Sequence, residues 1–121
     1  MQRAKQLTVC LANEPGAIAG LCRCLADAKV NIRAITVVES TEAGVVRLVP
    51  DDARAATKAL EGAGMEVIAT TVRLIELPNK VGALAEAAER MAKRGMNVDF
   101  LYGSTGAGRG KAVLVVDAHK A

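Results

Sequence analysis

Aromatic residues are nearly absent from this sequence, which has Phe100 and Tyr102 but no tryptophan. Proteins that bind single-stranded nucleic acids stack the bases on aromatic side chains. The net charge is only +3, and the basic residues are interspersed with acidic ones. We therefore expect no nucleic-acid partner. Because 51% of the residues are nonetheless hydrophobic, the core has to be built from Val, Ile, Leu and Ala.

Long apolar runs are absent too. No segment approaches the roughly 20 residues that a membrane-spanning helix needs, and the first residues lack the apolar stretch of a secretion signal. Three cysteines, an odd number, indicate reduced thiols. Cys22 and Cys24 are two positions apart on a predicted helix, so they point in directions too different to chelate one metal. We expect a cytoplasmic protein with no membrane or metal partner.

No catalytic set of residues is recognisable. His119 is the single histidine, and no Ser-His-Asp set, metal cluster or pair of acids accompanies it. The glycine-rich segment 103–110 looks like a phosphate loop only in composition, because such loops lead into a helix and this one leads into a predicted strand. We interpret it as a flexible hairpin loop. The chain is predicted not to be an enzyme, and we expect no cofactor.

An internal repeat with an offset of 66 residues organises the chain. Residues 7–51 align with residues 73–117 without a gap, and the apolar periodicity stays in phase. Several of the matched residues have specific roles in turns or caps. The informative matches are Asn13 with Asn79, Gly16 with Gly82, Asn31 with Asn97, Gly44 with Gly110, Leu48 with Leu114 and Asp51 with Asp117.

The first copy predicts the order βαββαβ. Asn13 is expected to cap a helix with Pro15 in its first turn, and Asp51 or Asp52 to cap a second helix that ends at Gly62 or Gly64. The predicted strands are 7–11, 30–38, 45–49 and 65–69, with a turn at 40–44. This order is that of the ferredoxin-like split βαβ arrangement, so the predicted fold class is α+β.

The second copy repeats this order but is shorter. Strands are predicted at 72–77, 96–102 and 111–116, with a helix that Asn79 caps and that ends at Gly95. At Asp117 a second helix should begin, but the sequence ends at Ala121. We thus predict two domains, 1–70 and 71–121, the second without its last helix and strand. An exposed hydrophobic face and a free sheet edge are expected there, to be covered by another chain or by the first copy.

The repeated turn between the first strand and first helix is the candidate ligand site. Free backbone N–H groups at a helix N-terminus suit a carboxylate, glycine permits close approach, and an asparagine amide both accepts from an ammonium and donates to a carboxylate. We expect Asn13 and Asn31 to lie near the same edge of one copy, and Asn79 and Asn97 in the other. The alternative is that the asparagines only cap helices and shape turns, and that the glycines allow close packing.

At these residues the sequence resembles the ACT domain family, in particular stand-alone bacterial proteins made of two such domains. The resemblance rests on residues 13–19, on Val30-Asn31-Ile32 and on the βαββαβ order. Some serine-binding members have a histidine two positions before the first asparagine, where this chain has Leu11 and Leu77. The ligand contacts that the resemblance implies are Asn13, Pro15, Gly16, Ala17 and Asn31 in the first copy and Asn79, Gly82, Ala83 and Asn97 in the second.

Two functions follow as hypotheses. ACT domains sense amino acids for metabolic enzymes and pair side by side with the ligand at their interface, so the resemblance implies an amino-acid-binding regulatory protein. It would be a homodimer and would act on a metabolic enzyme. The incomplete second copy supports the alternative, a structural module that assembles with itself or with an enzyme and binds no small molecule.

Overall fold

A computed structural model describes residues 2–39, 43–105 and 111–120. It has six strands and three helices in the described ranges, and none of these helices is long and apolar enough to cross a membrane. The elements are β1 (Gln2–Ala12), α1 (Ala17–Asp27), β2 (Ile32–Glu39), β3 (Ala43–Pro50), α2 (Ala53–Gly62), β4 (Val67–Pro78), α3 (Ala83–Lys93), β5 (Met96–Thr105) and β6 (Lys111–Lys120). This confirms the predicted α+β class. Most of the predicted turn 40–44 and residues 106–110 of the predicted loop lie outside the described residues.

The chain forms two compact units. The first unit is Lys5–Thr70, and the second unit consists of Thr71–Ala121 together with Met1–Ala4. The sequence predicted a boundary near residue 70 and placed the first four residues in the first domain, whereas here they belong to the second unit. Both β1 and β4 are longer than predicted, because each continues from one unit into the other.

The first unit contains the full βαββαβ order. Its strand order is β2-β3-β1-β4, with β3 antiparallel to both β1 and β2. Asp52 begins α2 as predicted: its side chain accepts a hydrogen bond from the backbone N–H of Ala55. Alternate residues of β1 and β3 face α1 and α2, as expected for a sheet covered on one side. The buried core consists of Leu7, Val9, Leu21, Leu25, Val30, Val46, Leu48, Ala56 and Leu60.

In its described part, the second unit has one helix, α3, and the strand order β1-β4-β6-β5. Residues 2–4 of β1 stand beside β4, in the position that the fourth strand takes in the first unit. The predicted missing strand is therefore absent from the described residues of 71–121, but its place is filled from the start of the chain. The buried core consists of Ile75, Leu77, Ala83, Ala87, Met91, Leu114 and Val116.

The expected exposed hydrophobic face is not found in the middle of this sheet. Ile75, Leu114 and Val116 are at most 9% exposed although a single helix covers them in the unit. Exposed apolar side chains occur instead at the β5 edge, where Val98 and Leu101 are 36% and 39% exposed, and at Val113 in β6, on the face opposite to Leu114. The uncovered surface is thus narrower than the sequence predicts.

The strand register corrects the ungapped repeat. Leu7 pairs with Leu48 in the first unit, and Arg73, which is the repeat partner of Leu7, pairs with Val116. Leu48 therefore corresponds to Val116 rather than to Leu114, an offset of 68 instead of 66. The second copy has two additional residues in its β5–β6 hairpin, so the matches of Gly44, Leu48 and Asp51 with Gly110, Leu114 and Asp117 are wrong.

Asp117 does not begin a helix. It lies within β6 and pairs with Phe100, and the strand continues to Lys120. In the first unit Pro50 ends β3, since proline cannot donate a ladder hydrogen bond, but the corresponding residue of β6 is Ala118. The structural counterpart of Asp51 is His119, which pairs with Asn97.

Candidate functional site

The turn that connects β4 to α3 is built around Gly82. The backbone N–H of Lys80 donates to the carbonyl oxygen of Pro78 at 2.9 Å, and that of Ala83 donates to the carbonyl oxygen of Lys80 at 3.2 Å. Gly82 precedes the helix with φ 89° and ψ −9°. Because this left-handed conformation is unfavourable for residues with a Cβ, the turn requires glycine at this position.

The β1–α1 turn has the same backbone. Gly16 stands at φ 89° and ψ −14°, and the backbone N–H of Ala17 donates to the carbonyl oxygen of Glu14 at 3.3 Å. The recurrence of Gly16 and Gly82 therefore reflects a backbone requirement, which differs from both of the roles that the sequence suggested for these glycines. Pro15 lies before the helix, not in its first turn.

The predicted asparagine caps are wrong. Gly16 and Gly82 occupy the cap positions, and neither α1 nor α3 has a side-chain cap hydrogen bond. Asn13 and Asn79 lie three residues earlier and are exposed. The first-turn N–H groups of a helix have no partner within the helix, and here no cap side chain accepts from them, although those of Ala17 and Ala83 donate to the turn carbonyl oxygens of Glu14 and Lys80. Together with the helix dipole, they form an electropositive end that suits an anion.

A cavity of about 240 Å³ lies at the β4–α3 turn. Its wall comes from the end of β4, the turn, the first residues of α3 and the facing parts of β5 and β6. The lining residues are Leu77, Pro78, Asn79, Lys80, Ala83, Leu84, Gly103, Ser104, Ala112 and Leu114. Asn79 and Ala83 were candidate ligand contacts from the sequence, and Gly82 lies between them in the same turn.

Several residues that line this cavity were not predicted as site residues, among them Lys80, Leu84, Gly103 and Ser104. Lys80 follows Asn79 directly, so its proximity to the site was available from the sequence. Gly103 and Ser104 were assigned to a hairpin loop, whereas they belong to β5. Their place in the cavity depends on strand register, which the sequence alone did not provide.

Asn31 and Asn97 do not lie near Asn13 and Asn79 within a unit. Leu11 pairs with Gly44 at one end of β3, and Ile32 pairs with Pro50 at the other, six residues and about 20 Å away. The expectation that Asn13 and Asn31 share an edge is therefore wrong. The second unit behaves likewise, because Leu77 pairs with Ala112 and Val98 with Ala118.

The distant asparagines have local partners. The backbone N–H of Asn31 donates to Asp51 Oδ1 at 3.0 Å, and the backbone N–H of Asp51 donates to the Asn31 carbonyl oxygen at 2.9 Å. In the second unit, Asn97 Nδ2 donates to Asp99 Oδ1 at 3.3 Å, and Asp99 Oδ2 lies 2.6 Å from His119 Nδ1. His119 is exposed, as expected, but it is not isolated. These contacts support the alternative that Asn31 helps to shape its turn.

Comparison with known proteins identifies the family. The family model described as an ACT domain pair matches residues 2–121. The chain belongs to the ACT domain pair family. A search of curated proteins gives no match.

Solved structures agree with this membership. Protein BT0572 from Bacteroides thetaiotaomicron is 28% identical, with a TM-score of 0.90 over 96% of this chain and 79% of that one. The ligand-free regulatory subunit of aspartate kinase from Thermus thermophilus is 16% identical, with a TM-score of 0.71 over 94% and 82% of the two chains. The corresponding subunit from Thermus flavus is 18% identical, with a TM-score of 0.68 over 96% and 83%. At such identities, the two kinase subunits establish the shared ACT fold.

Proposed function

We propose that this ACT domain pair is a regulatory protein that binds an amino acid at the turn between the first strand and first helix of its ACT units. The observation that carries the proposal is the cavity at the β4–α3 turn. It combines a helix N-terminus that has no side-chain cap, the side chain of Asn79 and a turn whose Gly82 is surrounded by open space. ACT domain pairs have regulatory roles, and we propose that this chain does not catalyse a reaction.

The chemistry of the turn fits a zwitterion. The carboxylate of an amino acid is stabilised by the N–H groups and positive dipole end of a helix. Asn79 supplies an oxygen that accepts from an ammonium group and an N–H₂ that donates to a carboxylate. The β1–α1 turn offers the same backbone with Asn13, Pro15, Gly16 and Ala17, so both turns are candidates.

The second asparagine of the family motif reaches such a site only from another unit. β5 is an edge strand of its unit. If β5 pairs antiparallel with β5 of a second molecule, the start of one strand lies beside the end of the other. Asn97 of one molecule then approaches the β4–α3 turn of the other. We therefore propose a homodimer with ligand at the interface between ACT units.

Exposed apolar residues support pairing at this edge. Leu84, Val98 and Leu101 are exposed near β5, and Ile18 and Ile35 are exposed near β2 in the first unit. An edge strand with apolar neighbours is a ready template for pairing with another chain. The same residues are the specific observation for the second candidate function, a module that only assembles with itself or with an enzyme.

A thermal-shift screen of the twenty amino acids at millimolar concentration tests the proposal. A ligand at 100 times its Kd adds about 2.7 kcal/mol to the free energy of unfolding. We expect Asn79→Ala to abolish or reduce the shift, whereas Glu66→Gln, an exposed control outside both turns, leaves it intact. If no amino acid raises Tm while light scattering shows a dimer, the assembly function replaces the binding function.

The cellular setting and partner are also proposals. We propose that the protein acts in the cytoplasm on a metabolic enzyme, as the ACT resemblance implies. Co-purification from cells grown with and without the identified ligand tests this. An enzyme of amino-acid metabolism should be recovered in a ligand-dependent amount, and recovery of no enzyme would contradict the assignment.

A further inference from the structure

The cavity at the β4–α3 turn differs chemically from the equivalent region of the first unit. Resting on the proposed function, we infer that the second unit alone binds the ligand, and that the ligand is an amino acid with an aliphatic side chain. The inference about the ligand depends on the apolar wall of the cavity, and the assignment to the second unit depends on Lys80 and Gly103, which have different residue types at the equivalent positions of the first unit.

The apolar wall indicates the ligand side chain. Leu77, Leu84, Ala112 and Leu114 line the cavity from β4, α3 and β6. An aliphatic group placed against this wall loses water contact from both surfaces, which contributes about 25 cal/mol per Å² of apolar area. A charged side chain in the same place would lose hydration without an opposite charge on that wall.

Lys80 indicates where the carboxylate lies. It lines the cavity beside the N-terminus of α3, so its ammonium group and the helix dipole act in the same direction on an anion. Its counterpart in the first unit is Glu14, which repels a carboxylate at the N-terminus of α1. The two turns thus share a backbone and have opposite charges.

Gly103 makes the second difference. Its counterpart at the same position of the first unit is Val37, and its neighbour Ser104 corresponds to Val38. Val37 Cγ1 lies 3.9 Å from the place that a Cβ on Gly44 would take, so the valine covers the start of β3, which pairs with the end of β1 just before the turn. Gly103 projects no side chain there, and both Gly103 and Ser104 line the cavity.

Isothermal titration calorimetry of the full chain tests the inference. The probes are L-valine, L-leucine and L-isoleucine, compared with L-serine, L-aspartate and L-lysine. We expect one aliphatic amino acid per chain and at least tenfold weaker binding of the polar and charged probes. Lys80→Glu should weaken binding at least tenfold, whereas Lys58→Glu, with the same charge change on α2, should leave it unchanged.

Each other result overturns the inference in a recognisable way. Preferred binding of a polar or charged probe, reduced by Lys80→Glu, rejects the aliphatic class but leaves the proposed function intact. Two equivalent ligands per chain reject the assignment to the second unit. Absence of heat and of thermal shift with every amino acid rejects the inference and the proposed binding function together.

Discussion

The two first-strand-to-helix turns share one backbone but differ in chemistry. Gly16 and Gly82 both stand at φ 89°, so the conformation of the turn is the same in the two units. Around it, Glu14 is replaced by Lys80 and Val37 by Gly103. The comparison teaches that a duplicated ACT unit retains the glycine on which its backbone depends while the side chains that would meet a ligand diverge.

The hydrophobic cores of the two units also differ, in how completely helices cover them. Among the residues that the structure describes, two helices cover the sheet in the first unit and one covers it in the second. Leu25 and Met91 occupy equivalent positions on α1 and α3, and they are 0% and 4% exposed. Met91 also borders a groove of about 310 Å³ between α3 and β4. The second unit therefore has the more open core.

The largest expected effects come from truncating these two residues. Leu25→Ala should lower the free energy of unfolding by about 4 kcal/mol and Met91→Ala by about 2 kcal/mol, since large-to-small core changes cost roughly 2–5 kcal/mol. The smaller loss is expected where the vacated space opens onto the groove and water can enter. Urea unfolding measures both, with Arg23→Ala as a surface control. Equal losses would show that the two cores are equally closed.

Gly103 distinguishes β5 from β2, which has Val37 at the equivalent position. A Cβ added there would lie 2.9 Å from Leu114 Cα and still closer to Leu114 Cδ2 and the Val113 carbonyl oxygen. We expect Gly103→Ala to cost about 2–3 kcal/mol by overpacking against backbone that cannot give way. Gly20→Ala, in α1 with no atom within 4 Å of its added Cβ, should instead stabilise by about 0.5–1 kcal/mol. Chemical denaturation that shows no loss for Gly103→Ala would mean that β5 and β6 move apart readily.

Much of this fold could be predicted from the sequence because local signals were strong. Periodic apolar residues gave the helices, and Asp52 gave the cap of α2. The register of β6 could not be predicted, since the two added hairpin residues keep the apolar alternation in phase: an even shift leaves every side chain on the same face. Residues 2–4 serve as a strand of the second unit because they lie beside β4, which is about 70 residues away in the sequence. No local sequence pattern predicts such a long-range pairing.

The candidate site was predicted in part for similar reasons. Asn79, Gly82 and Ala83 were found because they are adjacent in sequence and repeated. The prediction placed Asn31 and Asn97 at the wrong end of the strands. The helix between the first and second strands returns the chain to the end at which the first strand begins, so the second asparagine lies far from the first. Asparagine also resembles a helix cap in sequence, whereas here the left-handed glycine three residues later begins each helix.

Replacing the glycine should strain the backbone of both turns to the same extent. Gly16→Ala and Gly82→Ala should each lower the free energy of unfolding by about 1–2 kcal/mol, since a Cβ is disfavoured at positive φ. Open space surrounds both positions, so backbone strain is the sole cause expected. Gly62→Ala, at a helical position with similar open space, is the matched control and should not destabilise. Losses that differ by more than 1 kcal/mol between the turns would indicate that they are not equivalent.

The smallest expected changes in stability distinguish a helix-capping residue, Asp52, from a proposed ligand-binding residue, Asn79. Asp52 accepts from the Ala55 N–H at 3.0 Å, so Asp52→Ala should cost about 1 kcal/mol. Asn79 is exposed and makes no cap hydrogen bond to α3, so Asn79→Ala should change stability by less than about 0.5 kcal/mol while it weakens ligand binding. Thermal unfolding with and without ligand measures both quantities for each variant. A loss for Asn79→Ala equal to that for Asp52→Ala would return Asn79 to a structural role, because a residue retained for its ligand contacts has no reason to stabilise the empty protein.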